Sequence, residues 1–166
     1  MAELTLSKIG RTTKWAVIGA IKGTGETAAS IVKATADVLL VTVDGVAQVA
    51  VATEKAVAQI LTGAVEAATE TGEDVFVAIK SAVKGVVKGA SEVGADVGKT
   101  AVAAVDGAVK AAGEIGVDTA KAIEHATTGA IEAAEEIGSD TAQAVRTVLE
   151  TTVKGKEHLV GTAKNL

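Results

Sequence analysis

The sequence has no cysteine, proline or tyrosine, and only one tryptophan and one phenylalanine, among its 166 residues. Without cysteine, the chain forms no disulfide and offers no thiolate for metal binding or nucleophilic attack. An aromatic share of 1% excludes an ordinary globular core, because aromatic side chains supply much of the buried area in such cores. Turns and loops commonly use proline, so its absence favours long, uninterrupted secondary structure.

Small apolar residues are abundant instead. Hydrophobic residues make up 48% of the chain, glycine contributes 18 residues, and the mean hydropathy is +0.38. This composition is too apolar for a disordered polyelectrolyte. The net charge of −5 is distributed unevenly, because residues 1–35 carry +3 and the remainder therefore carries −8.

An internal repeat organises most of the chain. Residues 82–103, 104–125 and 126–147 align without gaps at a spacing of 22, and each segment divides into two units of eleven. The eleven-residue register continues without insertion or deletion over residues 8–161, which is fourteen units. Eleven residues over three helical turns is about 3.67 residues per turn, a period that produces a gentle right-handed supercoil.

This period predicts an all-α protein. We expect a single very long helix over residues 8–161, with short tails at 1–7 and 162–166, that assembles with other helices into a right-handed coiled-coil barrel or filament. A long helical hairpin remains open if its turn preserves the phase of the repeat. The weakest places for a continuous helix are the glycine-bearing stretches 23–25 and 93–98.

Glycine recurs at fixed places in the repeat, on or at the edge of an apolar arc of roughly 200° on a helical wheel. A glycine inside a helix costs about 0.8–1 kcal/mol relative to alanine, so regular glycines indicate that another helix approaches closely, although tolerated glycine in a loosely constrained repeat is the alternative. The predicted helix-packing interface comprises Gly63, Gly72, Gly85, Gly94, Gly107, Gly116, Gly129, Gly138, Val93, Ile115 and Ile137.

Contact with a membrane is a second expectation. Residues 27–65 are the most apolar part of the chain, and Lys8, Arg11, Lys14 and Trp15 form a basic start that suits an anionic lipid surface. A solvated helix end with Trp15 buried against a partner is the alternative. We find no secretory signal, so we expect the protein in the cytoplasm or at a membrane. The apolar arc holds mainly alanine, valine and glycine, which favours helix–helix contact over adsorption to lipid.

Two blocks, VAVATEKAVAQILTGAVEAATETG and GAVKAAGEIGVDTAKAI, resemble the eleven-residue repeats of synucleins and perilipins. That resemblance, which is one of period and composition, implies amphipathic lipid-binding helices. The chain also resembles bacterial hendecad coiled coils that continue into membranes, which implies an oligomeric membrane-associated rod or barrel. Shorter units such as DTAKAIEHA and DTAQAV resemble late-embryogenesis-abundant repeats, which implies a role in protection during desiccation.

No motif in the sequence carries recognisable chemistry. The phosphate-binding P-loop pattern is absent, and the G-x-G-x-x-A match at residues 23–28 lacks the surrounding βαβ unit that a dinucleotide site needs. His125 and His158 would lie roughly 50 Å apart on one helix, too far to share a metal. We therefore predict a non-enzymatic structural protein that forms homo-oligomers and uses no cofactor, nucleic acid or small-molecule substrate. The alternative is a membrane-associated protein, either a peripheral lipid-binding helix or an inserted oligomeric bundle.

Overall fold

In the computed structural model, the backbone is described for residues 8–24, 27–43 and 49–164, and side chains for 8–23, 27–43 and 55–152. The described residues form helices only, which confirms the all-α prediction. The helices are α1 (Lys8–Thr24), α2 (Thr27–Val43), α3 (Val49–Thr71), α4 (Val75–Glu92), α5 (Val97–Ile115), α6 (Thr119–Ile137) and α7 (Ser139–Lys164). Residues 1–7 lie outside the described part, and the expected C-terminal tail at 162–166 begins within α7.

The expectation of one continuous helix over residues 8–161 is wrong, because the chain turns at regular intervals. The helices α3, α4 and α5 are followed by Gly72, Gly94 and Gly116, whose φ angles of 76°, 76° and 80° place them in the left-handed region. Each turn is closed by a backbone bond that reaches back five residues, such as Ala95 N–H to the carbonyl oxygen of Ala90 at 2.9 Å. This is the Schellman arrangement, which ends a helix and favours glycine.

An aspartate two residues after each of these glycines starts the next helix. Asp74 precedes α4, and its Oδ1 accepts hydrogen bonds from the backbone N–H groups of Phe76 and Val77 at 2.8 and 3.3 Å. Asp96 and Asp118 cap α5 and α6 in the same way. An aspartate at this position satisfies N–H groups that have no partner within the helix.

The turns do not disturb the eleven-residue register because a helix and its turn together span 22 residues. The turn glycines Gly72, Gly94 and Gly116 are therefore spaced 22 apart, and so are the capping aspartates. A long hairpin with a phase-preserving turn was the alternative left open by the sequence. The structure uses such turns repeatedly, so the repeating unit is one helix with one turn.

The helices form two layers, with α1, α3, α5 and α7 in one and α2, α4 and α6 in the other. Each helix contacts its sequence neighbour and the helix two places away. Helices two places apart run parallel, since Lys80 and Lys88 of α4 pair with Glu132 and Glu136 of α6 in ascending order. Consecutive helices joined by short turns are therefore antiparallel, and the architecture is a stack of helical hairpins of the α-solenoid kind.

A continuous core of small side chains lies between the two layers. Most buried positions in α4, α5 and α6 are alanine, valine or glycine, and the largest fully buried side chains include Ile60, Leu61 and Ile79. Small side chains let helix axes approach closely, so apolar area is buried without aromatic residues. The stack thus accounts for the scarcity of aromatic residues in the sequence.

Candidate interaction surfaces

Glycines in the middle of the helices form the closest contacts between helices of the same layer. These are Gly63, Gly85, Gly107 and Gly129, which are spaced 22 residues apart. A Cβ atom on Gly107 would lie 3.0 Å from the Cα of Ala58 in α3, and one on Gly129 would overlap the carbonyl oxygen of Lys80 in α4. The structure thus places these four predicted packing residues against a helix of the same chain.

The other predicted packing glycines have a different role. Gly72, Gly94, Gly116 and Gly138 lie at or just after helix C-termini, and a Cβ added to any of them would meet nothing within 4 Å. Within this chain these four glycines serve as turn residues and not as helix-crossing residues. Beside them lie Val93, Ile115 and Ile137, which are partly buried and pack at the edge of the core.

The residues predicted as a membrane anchor separate into two groups. Lys8 and Arg11 are exposed on α1, and the Trp15 side chain is 65% exposed. Lys14 instead turns toward α3, where its Nζ lies 3.1 Å from Glu66 Oε1 and also pairs with Glu70. The hydrogen bond to Glu70, aided by Glu66, raises the pKa of Lys14. Lys14 therefore joins α1 to α3, although it also lies 5.6 Å from the Trp15 ring centroid.

A ladder of ion pairs joins α4 to α6. Lys84 Nζ lies 2.9 Å from Glu136 Oε1, and Lys88 pairs with the other oxygen of the same carboxylate. Lys80 extends the ladder by pairing with Glu132 at 3.2 Å. Hydrogen bonds from Lys88 and then Lys84 lower the pKa of Glu136. The lysines and carboxylates neutralise one another along a partly exposed seam.

An open groove lies between α1 and α2 at the N-terminal end of the stack, with a volume of about 470 Å³. Its α1 wall is formed by small side chains, including Ala16 and Ala20, and its α2 wall includes Ala34 and Val38. Val41, also in the α2 wall, is 79% exposed. The remaining lining residues are Thr12, Ser30, Lys33, Asp37 and Thr42. The groove is mainly apolar and has one charged pair on its α2 side.

An aromatic contact joins α4 to α6. The Phe76 ring stacks on the His125 ring with centroids 5.4 Å apart, and Lys121 Nζ lies 5.9 Å from the Phe76 centroid. His125 thus contributes to packing between two helices of one layer, whereas the side chain of His158 lies outside the described residues. Within the described part of the chain, no three His, Cys, Asp or Glu residues are grouped to hold a metal.

The sequence pattern indicated the close-packing glycines and two weak stretches, 23–25 and 93–98, at which helices are interrupted, but it did not indicate the other turns or the groove. The three-residue spacing of Asp96 and Lys99 is also that of a salt bridge on a helix surface, but the aspartate accepts the backbone N–H of Lys99 at 3.0 Å and acts as a cap. The pattern Gly-x-Asp at 72–74, 94–96, 116–118 and 138–140 was the available signal, since glycine ends helices and aspartate starts them. The groove carries no motif of its own.

Comparisons with known proteins add no family to these observations: no protein-family model matches the chain, and no curated protein matches it significantly. Among the described residues, no helix combines the length and apolar character needed to cross a bilayer. This finding covers the described parts of residues 27–65, the segment with the most membrane-like composition.

Proposed function

We propose that the protein is a non-enzymatic structural protein, a stack of helical hairpins that associates with copies of itself. The observation that carries this proposal is the difference between the two ends of the stack. The α1/α2 end bears the apolar groove and the exposed Val41. Helical-repeat proteins need a polar outer face on their terminal repeats to remain soluble as single chains, and the groove lacks such a face.

The α6/α7 end has the polar character that the α1/α2 end lacks. Lys80 and Lys84 of α4 face α6, and the residues 44 positions later in the repeat are Glu124 and Thr128. Both of these α6 residues are exposed. Other exposed residues at this end include Glu135, Gln143, Arg146, Thr147 and Glu150, together with Val148, which is 39% exposed. Among the described side chains, the α6/α7 end is mainly polar, and association is expected at the α1/α2 end.

The non-enzymatic part of the proposal is supported by the arrangement of the charged groups. Described carboxylates that form ion pairs do so with basic side chains, as Glu136 does with Lys84 and Lys88 and as Glu66 and Glu70 do with Lys14. General acid–base catalysis needs groups directed at a bound substrate. These groups instead join neighbouring helices across a partly exposed seam.

The proposal is tested by measuring the mass in solution. Sedimentation equilibrium at micromolar concentration, without lipid or detergent, should give a mass above that of one chain. Val41→Lys should reduce the mass to that of a monomer, because it introduces a charge at the apolar groove. Val77→Lys is the matched control, since Val77 is 37% exposed in the middle of the stack, and it should leave the mass unchanged. A wild-type chain that is monomeric throughout contradicts the proposal.

A membrane-surface protein is the second candidate function. The observation in its favour is the 65% exposure of Trp15 on the same helix as the exposed Lys8 and Arg11, since tryptophan and basic residues both suit the membrane interface. Vesicles containing about 30% anionic lipid should carry the protein upward in a flotation gradient. Trp15→Ala should weaken that association. Protein that remains wholly in the soluble fraction contradicts this candidate.

A further inference from the structure

We infer that the groove between α1 and α2 receives helix α2 of a second copy, so that two chains join through their N-terminal ends in a two-fold symmetric contact. The inference rests on the proposed self-association and names the surface and the partner. The contact is a bundle of four helices, in which α2 of each chain lies against both α1 and α2 of the other. The α6/α7 ends point away from it.

The repeat itself indicates that a helix belongs in this groove. Gly63 in α3 contacts the backbone of α1 at Gly10, and Gly85 in α4 contacts the backbone of α2, where a Cβ would lie 2.5 Å from the carbonyl oxygen of Val32. Val41 in α2 lies 44 residues before Gly85, and Gly19 in α1 lies 44 residues before Gly63, so each shares the repeat position of the later glycine. In the described part of the chain, no helix precedes α1 in the stack. A Cβ on Gly19 would accordingly meet nothing within 4 Å.

The shape of the groove suits a helix. On the α1 side, Ala16 and Ala20 are one turn apart and leave room for a helix backbone to approach closely. On the α2 side, Val41 extends into solvent and provides an apolar contact for the incoming helix. An alternation of small and larger apolar side chains is what helices need to interlock.

The charges on α2 identify the incoming helix as a second copy of α2. Lys33 and Asp37 are one turn apart in the groove lining, are 79% and 57% exposed, and lie 3.3 Å from each other. When two α2 helices cross antiparallel at the level of residue 35, Lys33 of each chain lies opposite Asp37 of the partner subunit. A two-fold axis repeats every such pair. One helix therefore carries both halves of a self-complementary charge pattern.

Charge reversal tests this arrangement directly. Lys33→Asp alone and Asp37→Lys alone should each weaken self-association about tenfold or more, because two repulsive pairs replace two attractive ones. An equimolar mixture of the two single variants should restore association to within about threefold of wild type, since every carboxylate at position 33 or 37 of one chain then faces an ammonium group of the other. The double variant Lys33→Asp/Asp37→Lys should associate with itself like the wild type. Helical circular dichroism of every variant should match wild type.

The control for a head-to-tail contact lies at the other end of the stack. Arg146→Glu should leave association unchanged, because Arg146 is exposed on α7 far along the stack and pairs with Glu135. If Arg146→Glu weakens association while the mixture of α2 variants does not restore it, the contact is head-to-tail and the inference is overturned. The proposed self-association then still stands.

Two further outcomes also overturn the inference. A wild-type chain that is monomeric but floats with vesicles means that lipid covers the groove, and the proposed self-association then fails with the inference. A chain that is monomeric and does not float means that the groove is not an intermolecular contact. An associating wild type, together with restoration by mixing, supports the two-fold contact because no head-to-tail arrangement places Lys33 opposite Asp37.

Discussion

A glycine at a helix crossing and a glycine that faces open space have different surroundings in this chain. Gly129 lies at a crossing of α4 and α6, where a methyl group would overlap the carbonyl oxygen of Lys80. Gly113 lies in α5 with nothing within 4 Å of an added Cβ. Backbone cannot move aside as a flexible side chain does. The same chemical change should therefore have opposite effects at the two sites.

We predict that Gly129→Ala lowers the free energy of unfolding by about 1–3 kcal/mol, because the added methyl group forces α4 and α6 apart. Gly113→Ala should raise it by about 0.5–1 kcal/mol, since alanine favours the helix and restricts the unfolded chain. Urea unfolding followed by circular dichroism measures both. Equal effects at the two positions would contradict the assignment of Gly129 to a helix crossing.

A glycine and an aspartate set the helix boundaries at the turns from α3 to α4, α4 to α5 and α5 to α6. We predict that Asp74→Ala lowers the free energy of unfolding by about 1 kcal/mol, because the N–H groups of Phe76 and Val77 lose their acceptor. Asp74→Asn is the control and should retain most of the stability, since an asparagine oxygen also caps a helix. Chemical unfolding of the three proteins makes the comparison. An unchanged stability in Asp74→Ala would show that the cap contributes nothing.

The ion pairs between α4 and α6 predict a dependence of stability on pH. The pKa of Glu136 is lowered in the folded chain by Lys88 and Lys84, so its contribution is complete above the unfolded-state pKa and is lost as the pH falls through the lower folded-state value. Below about pH 4.5 the wild type should lose a few tenths of a kcal/mol more than Glu136→Gln, because the pairs are partly exposed.

Glu92→Gln provides the matched control for this pH effect. Glu92 lies two helix units earlier than Glu136 and has no ion pair among the described residues. Its replacement should leave the acid limb of the stability curve unchanged. Parallel curves for wild type and Glu136→Gln between about pH 5 and pH 3 would contradict a stabilising role for the ladder.

The spacing of residues in the sequence predicts the helices and their close crossings. An eleven-residue period predicts helix, and the glycines 22 residues apart at 63, 85, 107 and 129 predict close crossings, because both follow from residue spacing alone. The same period is silent about turns that preserve it. Gly94 and Asp96 keep the register while they end α4 and start α5, so only their local chemistry distinguishes a turn from a helix.

The groove could not be predicted in the same way because it is a property of an end. Val41 and Gly85 share a repeat position, yet Gly85 is buried against α2 and Val41 is 79% exposed. Among the described residues, a helix of the same layer precedes Gly85 in the stack, whereas none precedes Val41. A single long helix has no stack end, so the expectation of one helix predicts no groove.

At the scale of the whole molecule, the described helices contact one another only when they are one or two places apart in the chain. The helix α4 contacts α2, α3, α5 and α6, whereas α1 contacts two of the described helices, α2 and α3. A protein built this way loses structure from its ends, because an end helix opens without disturbing the middle. We predict that amide hydrogen exchange is slowest in α4 and faster in α1 and α7.

Raising the protein concentration should then change the rates of amide hydrogen exchange at one end of the stack. If two chains join through their N-terminal ends, amides of α1 and α2 should exchange more slowly at about 100 μM than at about 1 μM, because association removes the open state by mass action. Amides of α6 and α7 should exchange equally at both concentrations, since they lie far from the contact. Hydrogen-exchange mass spectrometry of the intact chain measures both ends at once. If protection rises with concentration in α6 and α7 instead, the contact lies at the polar end. If protection does not change anywhere, the groove between α1 and α2 remains open.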